Sequence, residues 1–241
     1  MKNNVKLFVK TVSEIFSLQE PIFEIGSLQV PGQEGYADLR PFFSGKRYIG
    51  CDMRSGLGVD RTEDVENLSM DNESVGTILM LDTLAHIKNC SRALDEIYRV
   101  LKKEGIVVVS SILCFPICRC PEDYWRFTSS GLNHLLRDFP FRIIGTQGAS
   151  EFPHSVFGIG FKSGCEERIT RYFNEFNAAF SDKFQTTKIS VREKICRATA
   201  IKLGLDKKYP AIKRVLSLNE IKLELYYLGK RLYPDHTSGK S

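Results

Sequence analysis

Two uninterrupted apolar runs, VGTILMLD at 75–82 and IVVVSSIL at 106–113, stand on either side of the amphipathic stretch SRALDEIYRVLKKEG at 91–105. That succession constrains the chain more than any other feature. Runs without polar alternation belong to strands buried on both faces, as in a parallel sheet. The stretch between them reads as a helix, with Ala93, Leu94, Ile97, Val100 and Leu101 on one face. Ser91 is the expected N-cap, Lys102 and Lys103 suit the negative C-terminal end, and Gly105 is placed to close the helix in the left-handed conformation. Strand, crossover helix and strand together predict a doubly wound α/β domain.

Other elements extend this pattern. IFEI at 22–25 reads as a short buried strand, and KRYIGCDM as a second strand ending near Asp52. Thr128 fits the N-cap of a helix over TSSGLNHLL, with Phe127 and Leu132 as a hydrophobic staple. FRIIGTQ and SVFGIGF look like closing strands joined across GASEFPH. At the start, Val5, Phe8, Val9, Val12, Ile15 and Phe16 form one stripe of an amphipathic helix suited to covering a sheet. Beyond Gly164 the texture predicts three or four amphipathic helices, anchored by Ile169, Tyr172, Phe173 and Phe176. The expected organisation is an N-terminal helix (1–20), a cofactor-binding domain (21–163) and a basic helical C-terminal extension (164–241).

Charge and cysteine narrow the setting. Residues 1–161 hold 17 basic and 20 acidic side chains, a net −3, whereas residues 162–241 hold 17 and 9, a net +8. The basic residues of the tail alternate with apolar ones at helical spacing, which reads as a solvated helix face rather than a nucleic-acid stripe. A lid or a homo-oligomer surface is the first expectation for the tail, peripheral contact with an anionic membrane surface the second, and nucleic acid the last. Seven cysteines without an export signal read as reduced thiols in a cytoplasmic protein. Cys114, Cys118 and Cys120 form C-x3-C-x-C, which is not a recognised metal spacing, and no metal is expected.

The first loop selects the cofactor. A dinucleotide site needs three closely spaced glycines, but after Gly26 the corresponding positions hold Leu28 and Pro31. S-adenosylmethionine (SAM) carries no phosphate and asks for less. One glycine lets the backbone approach it, a nearby acid such as Glu24 offsets its positive charge, and a carboxylate at the end of the second strand takes the ribose diol. Asp52 stands at that place, and Asp64 with Val65 can supply an acceptor and an apolar bed for adenine.

These residues resemble the class I SAM-dependent methyltransferases of the broad small-molecule, type 11-like group. FEIGS sits at the family's acid-x-Gly motif, YIGCDM at its ribose-binding acid, EDVENLSMDNESV at its adenine-flanking segment, and ILMLDTLAHI at its fourth strand. ALDEIYRVLKKEGIVVVSS resembles the helix, turn and strand that follow. The resemblance spans about residues 22–111 and implies a mostly parallel, seven-stranded Rossmann-like sheet. It implies SAM contacts from Glu24, Gly26, Ser27, Asp52, Met53, Asp64, Val65 and Leu81. The chain departs from the family in keeping one glycine in the first loop and in placing Ala85 where an acid is usual.

The expected reaction is methyl transfer to an oxygen or carbon nucleophile on a small-molecule or glycan-linked acceptor. An oxygen nucleophile needs a base. His86 and Asp123 are the catalytic candidates; the competing reading of His86 is a helix-start histidine bonded to backbone. Tyr124, Trp125, Arg126 and His154 are the substrate-side candidates, with Arg126 suited to an anionic group. Trp125 and Phe127 can equally anchor the next helix. No Asn/Asp-Pro-Pro-aromatic clamp follows the fourth strand, which argues against nucleic-acid amino groups as acceptors. The rival class is a catalytically inactive binding or interaction module on the same fold.

Overall fold

The computed structural model describes residues 3–32, 34–118, 122–149, 152–186, 221–228 and 230–232. Its centre is β4 (Val75–Leu81), buried at every position as an apolar run in a doubly covered sheet should be. β4 pairs in parallel with β1 (Ile22–Ile25) on one side and with β5 (Leu101–Ile112) on the other. Beyond β1 come β2 (Tyr48–Asp52) and the short β3 (Arg61–Thr62), both parallel. Beyond β5 the sheet turns antiparallel through β7 (Phe152–Phe161), β6 (Phe141–Ala149), β8 (Ile221–Tyr227) and β9 (Lys230–Arg231). The order β3-β2-β1-β4-β5-β7-β6-β8-β9 makes nine strands among the described residues, two more than expected.

The extra strands correct the reading of the C-terminal part. One helix is described there, α4 (Glu166–Thr186), and then β8 extends the sheet alongside β6. The signal was present: Ile221, Leu223 and Leu225 alternate with Lys222 and Glu224, a period of two rather than 3.6. The further helices expected over 187–220 lie outside the described residues.

Each sheet face has its own core. On the first, α1 (Asn3–Ile15) and α4 cover Ile22, Leu79, Leu81, Val108, Ile143, Phe157 and Ile159. Phe8 of α1 stacks on Phe157 with centroids 4.6 Å apart and meets Phe176 and Phe180 of α4 edge-on at 5.8 and 5.7 Å. The apolar stripe of α4, with Ile169, Phe173, Phe176 and Phe180 buried, is thus engaged in this core rather than offered to a second copy. On the opposite face, α2 (Cys90–Val100) and α3 (Ser129–Leu135) cover Ile78, Met80, Val107 and Val109.

Local chemistry moved two boundaries. α2 is capped by Asn89, whose side chain accepts from the Arg92 amide at 3.1 Å, not by Ser91. It ends at Val100, Leu101 is already extended, and Gly105 lies within β5 instead of a left-handed turn. A Cβ on Gly105 would stand 2.9 Å from Lys102 O and 3.0 Å from Gly76 O, so close backbone packing is what calls for glycine there. Thr128 does cap α3, accepting from the Gly131 amide at 3.1 Å.

The crossovers on the β1–β3 side carry no α-helix among the described residues. Among the described residues, β1 and β2 are joined by a loop with a single 3-10 turn, Arg40–Phe43, and β2 and β3 by a loop without helix. α1 and α4 therefore cover a face that crossover helices would otherwise occupy. No helix among the described residues is long and apolar enough to cross a membrane.

Candidate cofactor and acceptor site

The chain reverses direction across the sheet between β1 and β4, and ligands of open α/β sheets bind outside the strand carboxyl ends at such a switch point. The residues leaving β1, β2, β3 and β4 there are Gly26, Met53, Glu63 and Asp82.

Gly26 adopts φ +86°, and a Cβ on it would stand 2.2 Å from Thr83 Oγ1. Thr83 Oγ1 is itself fixed, donating to Leu81 O at 3.1 Å or Ile25 O at 3.2 Å. Only glycine satisfies both the backbone and the approach of Thr83. The amides of Gly26 and Ser27 both donate to Cys51 O, at 2.8 and 3.0 Å, so the turn is pinned to β2. Ser27 Oγ is buried against Gly50 without a hydrogen-bond partner. Further out, Arg40 donates to Gly58 O at 3.0 Å and to Asp60 Oδ2 at 2.8 Å, and Asp60 in turn accepts from the Gly50 amide at 2.7 Å. This chain of bonds holds the loop in place of a crossover helix.

Glu24, two residues before Gly26, is 5% exposed on the α1-covered face and accepts from Tyr48 Oη at 2.5 Å. Burial outweighs that hydrogen bond and pushes its carboxyl up to about 7.

Asp52 ends β2 with its side chain only 11% exposed. Its Oδ1 accepts from the Arg54 amide at 3.0 Å, with the Arg54 guanidinium 3.5 Å away. The pairing of Asp52 with Thr62 brings β3 alongside, so Asp64 follows at the same end of the sheet. Asp64 is exposed and accepts from the Glu66 amide at 2.9 Å, whereas Val65 is buried. Met53 is 60% exposed, and Leu81 is buried in the first-face core. Two acids absent from the sequence reading also belong to this edge. Buried Glu63 accepts from Ser69 Oγ at 2.6 Å and pairs with Arg61. Asp82 has φ +53° and accepts from Ser110 Oγ at 2.7 Å. A non-glycine residue in that region stores strain, and an acid directly after an apolar strand was the available signal.

The acceptor-side candidates meet across the turn Leu84–His86. His86 Nδ1 lies 2.5 Å from Glu122 O, the Tyr124 amide donates to Ala85 O at 2.7 Å, and Trp125 Nε1 donates to Ile87 O at 2.9 Å. The loop after β5 is thus strapped along the segment after β4. Tyr124 and Trp125 remain 47% and 45% exposed beside His86.

The geometry alters two expected roles. The Asp123 side chain is 3% exposed, pairs with Arg126 through both oxygens, and accepts from the Cys118 amide at 2.7 Å. The Arg126 guanidinium, then that amide, holds its carboxyl well below the usual carboxylate range, which makes it a poor base. Arg126 also donates to Trp125 O at 2.8 Å and reaches Pro116 O at 3.4 Å and Phe115 O at 3.5 Å. A guanidinium so committed is not left to pair an anionic substrate. His154 is the third residue of β7, an interior strand between β5 and β6, where its carbonyl accepts from the Leu113 amide at 3.1 Å and its ring lies against Gly148. Cys120 lies outside the described residues, and no group of three metal-type ligands occurs among the described residues.

A parallel sheet with its switch point between β1 and β4, continued by an antiparallel β7 inserted between β5 and β6, is a Rossmann-like, methyltransferase-like fold. Residues 44–109 match the family model described as a methyltransferase domain. The family implies S-adenosylmethionine as cofactor. Solved structures similar to the chain include a SAM-dependent methyltransferase from Thermotoga maritima described as a possible histamine N-methyltransferase, 19% identical, covering 66% of this chain and 91% of its own, TM-score 0.46. Others are SAM-dependent methyltransferases from Methanosarcina mazei (17% identity, 62% and 94% covered, TM-score 0.41) and Aquifex aeolicus (15%, 66% and 93%, 0.44). No curated protein matches the chain.

The residues present fit that cofactor. A side-chain-free turn at Gly26, an unpartnered buried hydroxyl at Ser27, a sheltered carboxylate at Asp52 and an acid beside an apolar residue at 64–65 are the donor set an adenosyl amino acid calls for.

Proposed function

We propose that the protein transfers the methyl group of S-adenosylmethionine to an oxygen or carbon nucleophile of a small-molecule or glycan-linked acceptor, with residues 21–163 as the cofactor-binding unit. Asp52 holds the ribose diol, Asp64 and Val65 hold adenine, and Gly26 with Ser27 faces the methionine end, with Met53 and Leu81 flanking. Glu24 lies beneath the turn and supports it through Tyr48. When bound, the cofactor supplies a methyl group on a sulfonium, already a strong electrophile. The protein's own work is alignment and exclusion of water. His86 accepts the proton of an acceptor hydroxyl, Tyr124 and Trp125 form the wall against which the acceptor lies, and His154 stands at the rim. Asp123 and Arg126 shape the loop rather than touch the acceptor.

The observation that carries this reading is the adjacency of β2 and β3. The Asp52–Thr62 pairing puts two acids at one end of the sheet, where each can grip a different end of one adenosine. The test is calorimetric titration of the full chain with SAM and with S-adenosylhomocysteine. Binding heat that disappears in Asp52→Ala is expected; absence of heat with either compound in the native chain would refute the proposal.

One observation favours the second reading, a binding module without turnover. Leu28 packs onto Gly56, where a Cβ would stand 2.5 Å from Leu28 Cδ1, and the first two loop amides are committed to Cys51 O. That reading predicts no cofactor heat in the native chain and its appearance in Leu28→Ala.

A further inference from the structure

We propose that the Asp123–Arg126 pair is a positioning device that fixes His86 in one tautomer, with hydrogen on Nδ1 and a bare lone pair on Nε2. The inference rests on reading His86 as the base, but the tautomer is a property of the protein without ligand and can be measured alone.

A carbonyl oxygen only accepts. The 2.5 Å contact from His86 Nδ1 to Glu122 O therefore needs the hydrogen on Nδ1. In the neutral ring Nε2 is then the acceptor, the state required to take a proton from a hydroxyl. Were the hydrogen on Nε2, two lone pairs would face each other across that contact.

The carbonyl that imposes this choice has no regular secondary structure to hold it. The described residues between β5 and α3 are irregular throughout. Glu122 is instead held through its neighbour. Asp123 ties the loop back to the Cys118 amide, and Arg126 closes over Asp123 while gathering the carbonyls of Phe115, Pro116 and Trp125. On the other side, the Tyr124 amide and the Trp125 indole fasten the strand of loop to Ala85 and Ile87, flanking His86. The Glu122 carbonyl thus hangs between a carboxylate–guanidinium knot and the very turn that carries the histidine. Removing either member leaves the other charge in a sheltered place without its partner, so the loop must rearrange to rehydrate it.

The experiment is long-range proton–nitrogen NMR of the imidazole rings in the uniformly labelled full chain at alkaline pH. The chain has four histidines, and the His86 signals are identified by their loss in His86→Gln. In the native chain His86 is expected in the Nδ1–H form. Asp123→Ala, Arg126→Ala and the double variant should each lose that form to the same extent, because the two residues act as one unit, while His134 keeps its native signals. If Asp123→Ala does not fold, Arg126→Lys gives the same reading with charge retained, since lysine cannot bridge both carboxylate oxygens. An Nε2–H form in the native chain, or an unchanged Nδ1–H form in the folded variants, overturns the proposal. Titration of the same samples with S-adenosylhomocysteine separates the two levels. Native heat retained in Arg126→Ala alongside loss of the Nδ1–H form supports positioning of the base and not of the cofactor. Absence of heat in the native chain defeats the proposed function and leaves the tautomer result standing.

Discussion

Tyr48 donates its phenolic hydrogen to the Glu24 carboxylate at 2.5 Å, under the face of the sheet that α1 and α4 cover. Burial, the largest influence, lifts Glu24 from 4.5 to about 7, so the folded chain binds a proton there more tightly than the unfolded chain does. The stability this contributes is complete below about pH 4.5 and declines as pH rises through about 7. Glu24→Gln keeps an acceptor for Tyr48 without a charge. It should therefore unfold at higher denaturant than the native chain at pH 8, by roughly 2–4 kcal/mol, with the difference vanishing toward pH 4.5. Urea unfolding at both pH values checks this; equal stabilities at pH 8 would contradict it.

Gly26→Ala places a methyl group 2.2 Å from Thr83 Oγ1 in a backbone with φ +86°. The left-handed conformation alone costs roughly 1–2 kcal/mol in a non-glycine residue, and the clash adds to it. Gly26→Ala combined with Thr83→Ala should recover the steric part and leave the dihedral part. Denaturant unfolding of the two variants measures the split.

Asp52→Asn keeps the shape of the site and removes its charge. Two charge-assisted bonds to a ribose diol, each worth about 1.5–3 kcal/mol, predict at least about a 100-fold loss of S-adenosylhomocysteine affinity by calorimetry. The partly exposed Asp52–Arg54 contact contributes little to folding, so the melting temperature should barely move.

Phe8→Ala removes a ring that is 1% exposed and touches Phe157, Phe176 and Phe180. Truncation of a buried aromatic costs about 3–5 kcal/mol. Phe8→Ala and Phe180→Ala share one contact, so their combined cost in urea unfolding should fall short of the sum of the single costs.

Much of the middle of the chain was legible because its signals are local. The apolar runs at β4 and β5, the stripe of α1 and the Thr128 cap depend on residues a few positions apart. The C-terminal part was misread where β8 alternates with a period of two inside a basic stretch taken as helical. Asn89 and Ser91 are both competent caps, and only the path of the backbone selects the first. The ends of β1 and β2 were readable as the start of a cofactor site, whereas Glu63 and Asp82 became visible only with their partners Ser69 and Ser110 in place.

By itself, then, the order of residues determined the parallel centre, the lone glycine after β1 and the acids at 52 and 64, since strand period and turn chemistry are properties of short stretches. Only the tertiary structure decided that Arg126 closes on Asp123, that Glu122 meets His86 across 36 positions, and that α1 and α4 together roof one face. A charged or hydrogen-bonding side chain has many possible partners along a chain, and which one it takes is settled by the loops that folding brings side by side.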